Sequence, residues 1–531
     1  AIAIVGDINP DEVETKVKAL FSKLPVEKDP APREYFKVPS YKGTRFVLAT
    51  DKEAPQTTVS VVVLHEAVPD GKKNLNYIRE NHPISLMNSM INTRISELLQ
   101  KSSPPFVAGS VSFDEYLARG YDAFSITAVA RQNEEAAALE AIYTEAERAR
   151  RSGFTDGELK RAKARLLSSY ENYFKQKEKI DNDTYIAGIQ SYFLTGEPLT
   201  SIDFDFGFLK HVIEGITADE VSQKFREVMV NENRTIIIQG VEGDDIKHLT
   251  KQEALEIIQK TESSELTAYE DSVLGTSLIS EDLNGSRVIS SVSLPQFNAT
   301  EWTLANNIKV VYRKADYEKD NISLSAFSFG GISRLENDLM LPAYMMSLIL
   351  PMYGLGDYDN VTLQKMLSGR KASVSVSLGE TTETINGSST PKDLEIMMQL
   401  LYLRMARPRF DSDAHASIIE RYAAFIGNME KDPDKIKSDS ISLITTGYNP
   451  RTPVLNKENI EKISLDQIKQ VYNDRFGNPD EFIFFIVGNI GADTLLPLVE
   501  KYIGSLPGSG RTETWVDRNV EQPEGKIGKE I

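Results

Sequence analysis

The sequence predicts an α+β chain with two related domains, each a mainly antiparallel sheet with helices packed on one face. The first observation behind this is a repeat. Residues 2–25, IAIVGDINPDEVETKVKALFSKLP, align without a gap on 484–507, FFIVGNIGADTLLPLVEKYIGSLP, pairing Gly6 with Gly488, Ile8 with Ile490, Leu24 with Leu506 and Pro25 with Pro507. The second is that the preceding runs repeat as well. ITADEVSQKFREVMVNENRTIIIQG from Ile216 parallels ISLDQIKQVYNDRFGNPDEFIFFIVG from Ile463, and residues 148–172 share the layout of 404–428. Self-similarity of this kind marks units of one design. The third is order: within each unit strands come first and helices later, joined by short turns, which yields antiparallel sheets with helices on one face.

Element by element, residues 2–6 read as a buried strand ending at a glycine, then a turn and an amphipathic helix closed by Pro25. Strands are predicted at 57–65, 106–113, 121–130 and 236–240, and helices at 134–152, 156–176 and 217–230. Thr155 with Glu158 forms a capping box at the start of the second helix. Further strands are predicted at 308–314, 321–329, 372–378 and 482–487, and a single helix at 251–262 precedes a Ser-rich polar stretch. The strand at 484–488 comes nearly 190 residues into its unit, so the strand at 2–6 implies comparable material before Ala1. The expected organisation is the end of a first domain at 1–30, a second domain at 31–245, a linker at 246–298, a third domain at 299–507 and the start of a fourth at 508–531.

Composition narrows the function classes. The 531 residues carry 60 basic and 78 acidic side chains, a net charge of −18 spread along the chain, which disfavours a nucleic-acid partner because phosphate binding needs a basic surface. The absence of cysteine excludes disulfides, thiolate zinc sites and a cysteine nucleophile. The five histidines, His65, His82, His211, His248 and His415, lie at least 17 positions apart, so no short motif of the H-x-x-E-H kind exists here. The longest uncharged run, Leu339–Gly356, spans 18 residues but is broken by Pro342, Pro351 and Gly354, so it reads as a buried helix and no membrane span is expected.

The order LANNIKVVYRK (304–314), NISLSAFSFGGIS (321–333), a helix, SVSVSL, NGSSTPKDLEIMMQLLYLRMARPRF (386–410) and a closing IVG strand resembles the insulinase and pitrilysin family of zinc metallopeptidases. In that family the first domain binds zinc through two histidines of H-x-x-E-H and a downstream glutamate, and the motif glutamate acts as general base on the metal-bound water. The matching helix of the third domain, MLPAYMMSLILPMY at 340–353, has no His, Asp or Glu and so makes a catalytically degenerate copy. The resemblance therefore implies an internal piece of a zinc endopeptidase: zinc in the parent protein, no metal or catalytic residue in this piece, peptide substrates, and first and fourth domains beyond its ends. It implies chamber wall and hinge as the role of the piece, with a non-catalytic peptide-binding scaffold or subunit as the alternative. The resemblance looks bacterial, and bacterial relatives of this length are often exported, so a periplasmic or exported location is expected.

In some relatives a strand of the second domain holds the end of a peptide by strand addition. By placement, the corresponding residues here are Ala108, Gly109, Ser110, Val111 and Ser112; the plainer reading is an ordinary strand with a glycine at a bulge. His65 and Glu66 read as rim residues, Gly330 and Gly331 as a tight turn, and Arg148, Arg150 and Arg151 as cations at a helix C-terminus. The sequons at Asn284, Asn298 and Asn386 are assigned no role.

Overall fold

The computed structural model describes residues 2–25, 29, 31, 36–101, 103–116, 119–271, 277–430, 432–508, 510–520, 523–528 and 530. Its strands are β1 (Thr44–Asp51), β2 (Thr57–Glu66), β3 (Ala108–Glu115), β4 (Tyr121–Ala130), β5 (Arg234–Val241), β6 (Val288–Leu294), β7 (Ala299–Leu304), β8 (Lys309–Lys314), β9 (Ile322–Phe329), β10 (Ala372–Leu378), β11 (Thr382–Ser389) and β12 (Ile483–Gly488). Its helices up to the second sheet are α1 (Pro10–Phe21), α2 (Leu75–Leu98), α3 (Glu135–Ser152), α4 (Asp156–Lys175), α5 (Asn182–Thr195), α6 (Ile202–Val212), α7 (Ala218–Val228) and α8 (Lys251–Ser263). The later ones are α9 (Met340–Ile349), α10 (Asn360–Met366), α11 (Leu394–Ala406), α12 (Ser412–Met429), α13 (Pro433–Thr445), α14 (Lys457–Glu461), α15 (Leu465–Phe476) and α16 (Ala492–Leu498).

The first sheet has the order β1-β5-β2-β4-β3, and the second, read from its β6 end, β6-β7-β8-β12-β9-β11-β10. From β8 onward the second repeats the first strand for strand. In both, the strand that comes last in the chain enters the middle, parallel to the first strand and antiparallel to the second. A strand inserted between two others has both edges laddered, and its alternate residues face the helices. Ile236 and Ile238 of β5, and Phe484 and Ile486 of β12, are accordingly fully buried.

Two cores follow. In the first, Val59, Val61 and Val63 of β2 and Phe124 and Ile126 of β4 meet Leu86, Met90 and Ile91 of α2 and Phe225 of α7. In the second, Leu324 of β9 and Phe484 of β12 meet Met346 of α9, Leu401 of α11 and Ile468 of α15. Each such side chain contributes roughly 1.5–3 kcal/mol by leaving water. The uncharged run at 339–356 is core: Met340, Met346 and Ile349 are fully buried, and the α-helix gives way to a tighter turn at Leu350–Tyr353, which contains Pro351. Among the described residues no helix is long and apolar enough to cross a membrane.

The structure departs from the strand reading in three places. Residues 2–6 join no sheet, and Ile2 and Ile4 are 54% and 47% exposed, because no described strand lies beside them. The expected linker contains β6, a mostly exposed strand paired with β7, whose run VISSVSL looked merely Ser-rich. The strands β1, β7 and β11 were not anticipated; β11, TETINGSS, carries little apolar signal, and its place in the sheet comes from its ladders to β9 and β10. Beyond the second sheet, Val516 N–H donates to Ser333 Oγ at 2.9 Å and Arg475 reaches Glu513 at 2.8 Å.

Candidate functional site: an edge strand, a cavity and a domain junction

Strand β3, which holds Ala108–Ser112, is an edge of the first sheet. Its Tyr116 N–H donates to Tyr121 C=O, and the register from Ala108 opposite Val129 to Glu115 opposite Asp122 is unbroken. Residues 108, 110, 112 and 114 therefore face β4, and the backbone groups of 109, 111, 113 and 115 point outward. Two asparagines one helical turn apart on α2 reach them. Asn92 donates from Nδ2 to Val111 C=O at 2.6 Å and accepts from Val111 N–H at 3.0 Å; Asn88 does the same for Phe113 at 3.4 and 3.0 Å. The carboxamides take the place that a neighbouring strand would occupy.

The glycine is not at a bulge. A Cβ at Gly109 would lie 2.8 Å from Phe106 and 3.0 Å from Ile142, so the residue is small because α3 and the preceding loop approach it closely. A peptide laid along Ala108–Ser112 therefore meets a packed Gly109 and a Val111 that is already partnered.

Next to this edge is a cavity of about 1000 Å³, between the end of β2, α2 and the β3–β4 turn. His65 lines it and donates from Nε2 to Val228 C=O at 2.8 Å. Lys73 donates to Glu197 at 2.5 Å and to Thr195 C=O at 2.7 Å, and Tyr77 hydroxyl donates to Glu197 at 3.0 Å. Burial opposes the charge on Lys73, but the Glu197 carboxylate outweighs it and raises the pKa. Burial pushes the Asp122 carboxyl up, with Lys73 partly offsetting the rise. His65 and Glu66 are thus at a rim, as sequence reasoning had them, while the Lys73–Glu197 pair joins residues 124 positions apart that no local motif connects.

The third feature is the junction of the two domains. Arg94, almost wholly buried, donates from Nε and Nη2 to the two Glu158 oxygens at 2.7 and 2.8 Å, with its guanidinium 4.2 Å from the Tyr269 ring centroid. Tyr269 hydroxyl donates to Glu97 at 2.8 Å, and Lys365 of α10 donates to Tyr269 hydroxyl at 3.0 Å. Asp271 receives Arg161 at 2.6 Å. Burial and Glu97 push the Tyr269 pKa far up, so the phenol stays a donor.

No zinc ligand set is found among these residues. His82 of α2 packs against the rings of Tyr170 and Phe208, burial lowers its pKa, and its neighbour Glu80 pairs with Lys224 at 3.1 Å. The α9 run offers no ligand side chain. Among the described residues no group of three or more His, Asp or Glu is placed to hold a metal ion. The described residues do not fit a zinc ion.

The repeated strand order with helices on one face defines a duplicated α+β architecture. A family model described as the peptidase M16 inactive domain matches residues 1–166 and 462–530. The chain is 22% identical over 517 residues to the zinc protease PQQL-like of Arabidopsis thaliana, covering 96% of this chain and 48% of that protein. It is 22% identical over 515 residues to the probable zinc protease PqqL of Escherichia coli (strain K12), covering 95% and 54%. The crystal structure of the ferredoxin protease FusC in complex with Arabidopsis ferredoxin shares the fold, with a TM-score of 0.59 at 15% identity over 97% of this chain and 57% of that one. The chain is thus similar to the peptidase M16 inactive domain over those two stretches, and to zinc proteases of the PqqL kind along nearly its whole length. It spans about half the length of the curated relatives it matches.

Proposed function

We propose that this chain is the non-catalytic part of a zinc metalloendopeptidase that degrades peptides in a closed chamber, and that it forms chamber wall and hinge. The observation that supports this best is the contrast between the two copies of the closing strand and helix. In the later copy, Phe484, Ile486, Leu495, Val499 and Leu506 are buried at 2% exposure or less. At the same positions of the earlier copy, Ile2, Ile4 and Leu24 are 47–60% exposed and α1 has no buried residue. Such a unit suits the sheet of a further domain of the same design, which in this reading carries zinc. The junction at Lys365, Tyr269 and Glu97 supplies the hinge, and the parent is exported or periplasmic.

The test is hydrolysis of a quenched fluorescent unfolded peptide. The isolated 531-residue chain with added zinc is expected to be inactive, and the parent protein active until treated with chelator. Chelator-sensitive hydrolysis by the isolated chain overturns the reading, and so does an inactive parent.

A further inference from the structure

The two sheets end in equivalent edge strands, β3 and β10, that are finished differently. In β10, Lys371 C=O accepts from Thr390 N–H and Gly379 N–H donates to Thr382 C=O, so residues 371, 373, 375, 377 and 379 face β11. The outward N–H and C=O groups belong to Ala372, Val374, Val376 and Leu378. Among the described residues no side chain or backbone group bonds them, whereas the same groups at Val111 and Phe113 of β3 are held by Asn92 and Asn88. Two helices pack on β10: α9, MLPAYMMSLI, has no Asn or Gln to do this, and Gln399 of α11 donates instead to Tyr502 hydroxyl at 3.2 Å.

We propose that β10 is a peptide-docking edge: an extended segment of about seven residues adds antiparallel to Ala372–Leu378 as a further strand of the second sheet. The occupant follows from chemistry shown elsewhere in the chain. At the sister edge the same outward groups are filled by carboxamides that donate and accept at once, which is what a peptide backbone offers. The direction follows from charge. Arg370, half exposed, and Lys371 precede the strand, and exposed Glu380 follows it. An antiparallel segment brings its carboxylate end to the two cations and its amino end to Glu380; a parallel one brings like charges together. Side-chain demands are light, since Ser373, Ser375 and Ser377 fill the open face while Val376 is buried beneath it. Specificity then rests on extension and terminal charge. This assignment rests on the peptide-handling reading above and moves the docking strand from the second domain to the third.

The probe is a nonapeptide of alternating threonine and valine with a free C-terminal carboxylate and a fluorescein on a side chain, titrated with the whole chain by fluorescence anisotropy. Saturable binding is expected. Methylating the backbone nitrogens of every second peptide residue is expected to weaken it at least tenfold in one phase of the alternation and less than twofold in the other. Val374→Pro removes an outward donor without touching the β11 ladder and is expected to weaken binding at least tenfold; should that variant misfold, the methylated peptides still decide. Asn88→Ala with Asn92→Ala is expected to open β3 and raise the stoichiometry from one to two. Binding indifferent to both methylation phases and to Val374→Pro overturns the β10 assignment and leaves the peptidase reading standing. Absence of binding at millimolar peptide overturns the assignment too, while activity of the parent protein judges the peptidase reading separately.

Discussion

Lys365 of α10 sets its ammonium 2.9 Å from a Glu97 carboxylate oxygen of α2, and only 5% of the lysine side chain reaches solvent. The pair joins the two domains, and Tyr269, from the segment between them, bonds both partners. Removing one member of a buried pair leaves the other charged and unpaired, which costs about 3 kcal/mol. Lys365→Met is therefore expected to lower the urea midpoint and to expose the bond after Tyr269 to chymotrypsin, and adding Glu97→Gln is expected to restore part of the loss. Unchanged chymotrypsin resistance at Tyr269 in the single variant contradicts this account of the junction.

Arg94 depends on Glu158 in the same way, within one domain. Both side chains are nearly solvent-free, and Arg94 Nη2 also donates to Gly153 C=O at 2.9 Å. Glu158→Ala is expected to destabilise by about 3 kcal/mol, because it leaves the buried guanidinium only Glu145, at 3.6 Å, as a carboxylate partner and removes the reciprocal cap on Thr155. Thr155→Ala, which removes the cap alone, is expected to cost about 1 kcal/mol. Equal losses from the two substitutions in urea unfolding would argue that the ion pair contributes nothing.

A pH dependence follows from His415. Its Nε2–H donates to Ile463 C=O at 2.9 Å, and Nδ1 accepts from Tyr353 hydroxyl at 2.7 Å. Burial lowers its pKa, and the bond to Ile463 offsets this only in part. In the unfolded chain the ring titrates near 6.5. Between its depressed folded value and about 6.5 the unfolded chain binds more protons, so stability rises with pH through that window and is unaffected above it. His82 contributes in the same direction, through burial first and Arg79 second. The stability difference between the native chain and His415→Gln is expected to shrink as pH falls from about 7 to 5; a difference that grows contradicts the assignment.

The two copies of the closing unit should respond differently to one kind of change. Phe484→Ala empties a fully buried site and is expected to cost about 3–5 kcal/mol. Ile2→Ser with Ile4→Ser touches exposed side chains and is expected to change stability by no more than about 0.5 kcal/mol, while reducing self-association at high concentration. Urea unfolding and light scattering read the two effects.

The fold was legible where alternation and capping were strong. Strands β2, β4 and β12, the box at Thr155 and the buried run at 340–353 were all read correctly from local pattern. The reading failed where a strand takes its structure from its neighbours. β11 has few apolar residues, β6 is almost entirely exposed, and residues 2–6 have a strand's sequence without a sheet beside them. The site was less legible. Placement drew attention to Ala108–Ser112, but the contact between Asn92 and Val111 spans 19 residues and depends on helix phase, and the Lys73–Glu197 and Lys365–Glu97 pairs link segments that the sequence does not align.

The central position of β5 and β12 bears on how the chain assembles. Val47 of β1 lies opposite Ile237, and Val311 of β8 opposite Phe485, so β1 and β8 each wait for nearly the whole domain before their parallel neighbour arrives. Until then β1 and β2, and likewise β8 and β9, flank an open slot with unpaired edges. Contacts so distant in sequence slow folding, and open edges invite mispairing. Because the two slots share one strand order, exchange of the closing strands is the misfolded product to expect on refolding the whole chain, and synthesis from the N-terminus, in which β5 is made before β8, disfavours it.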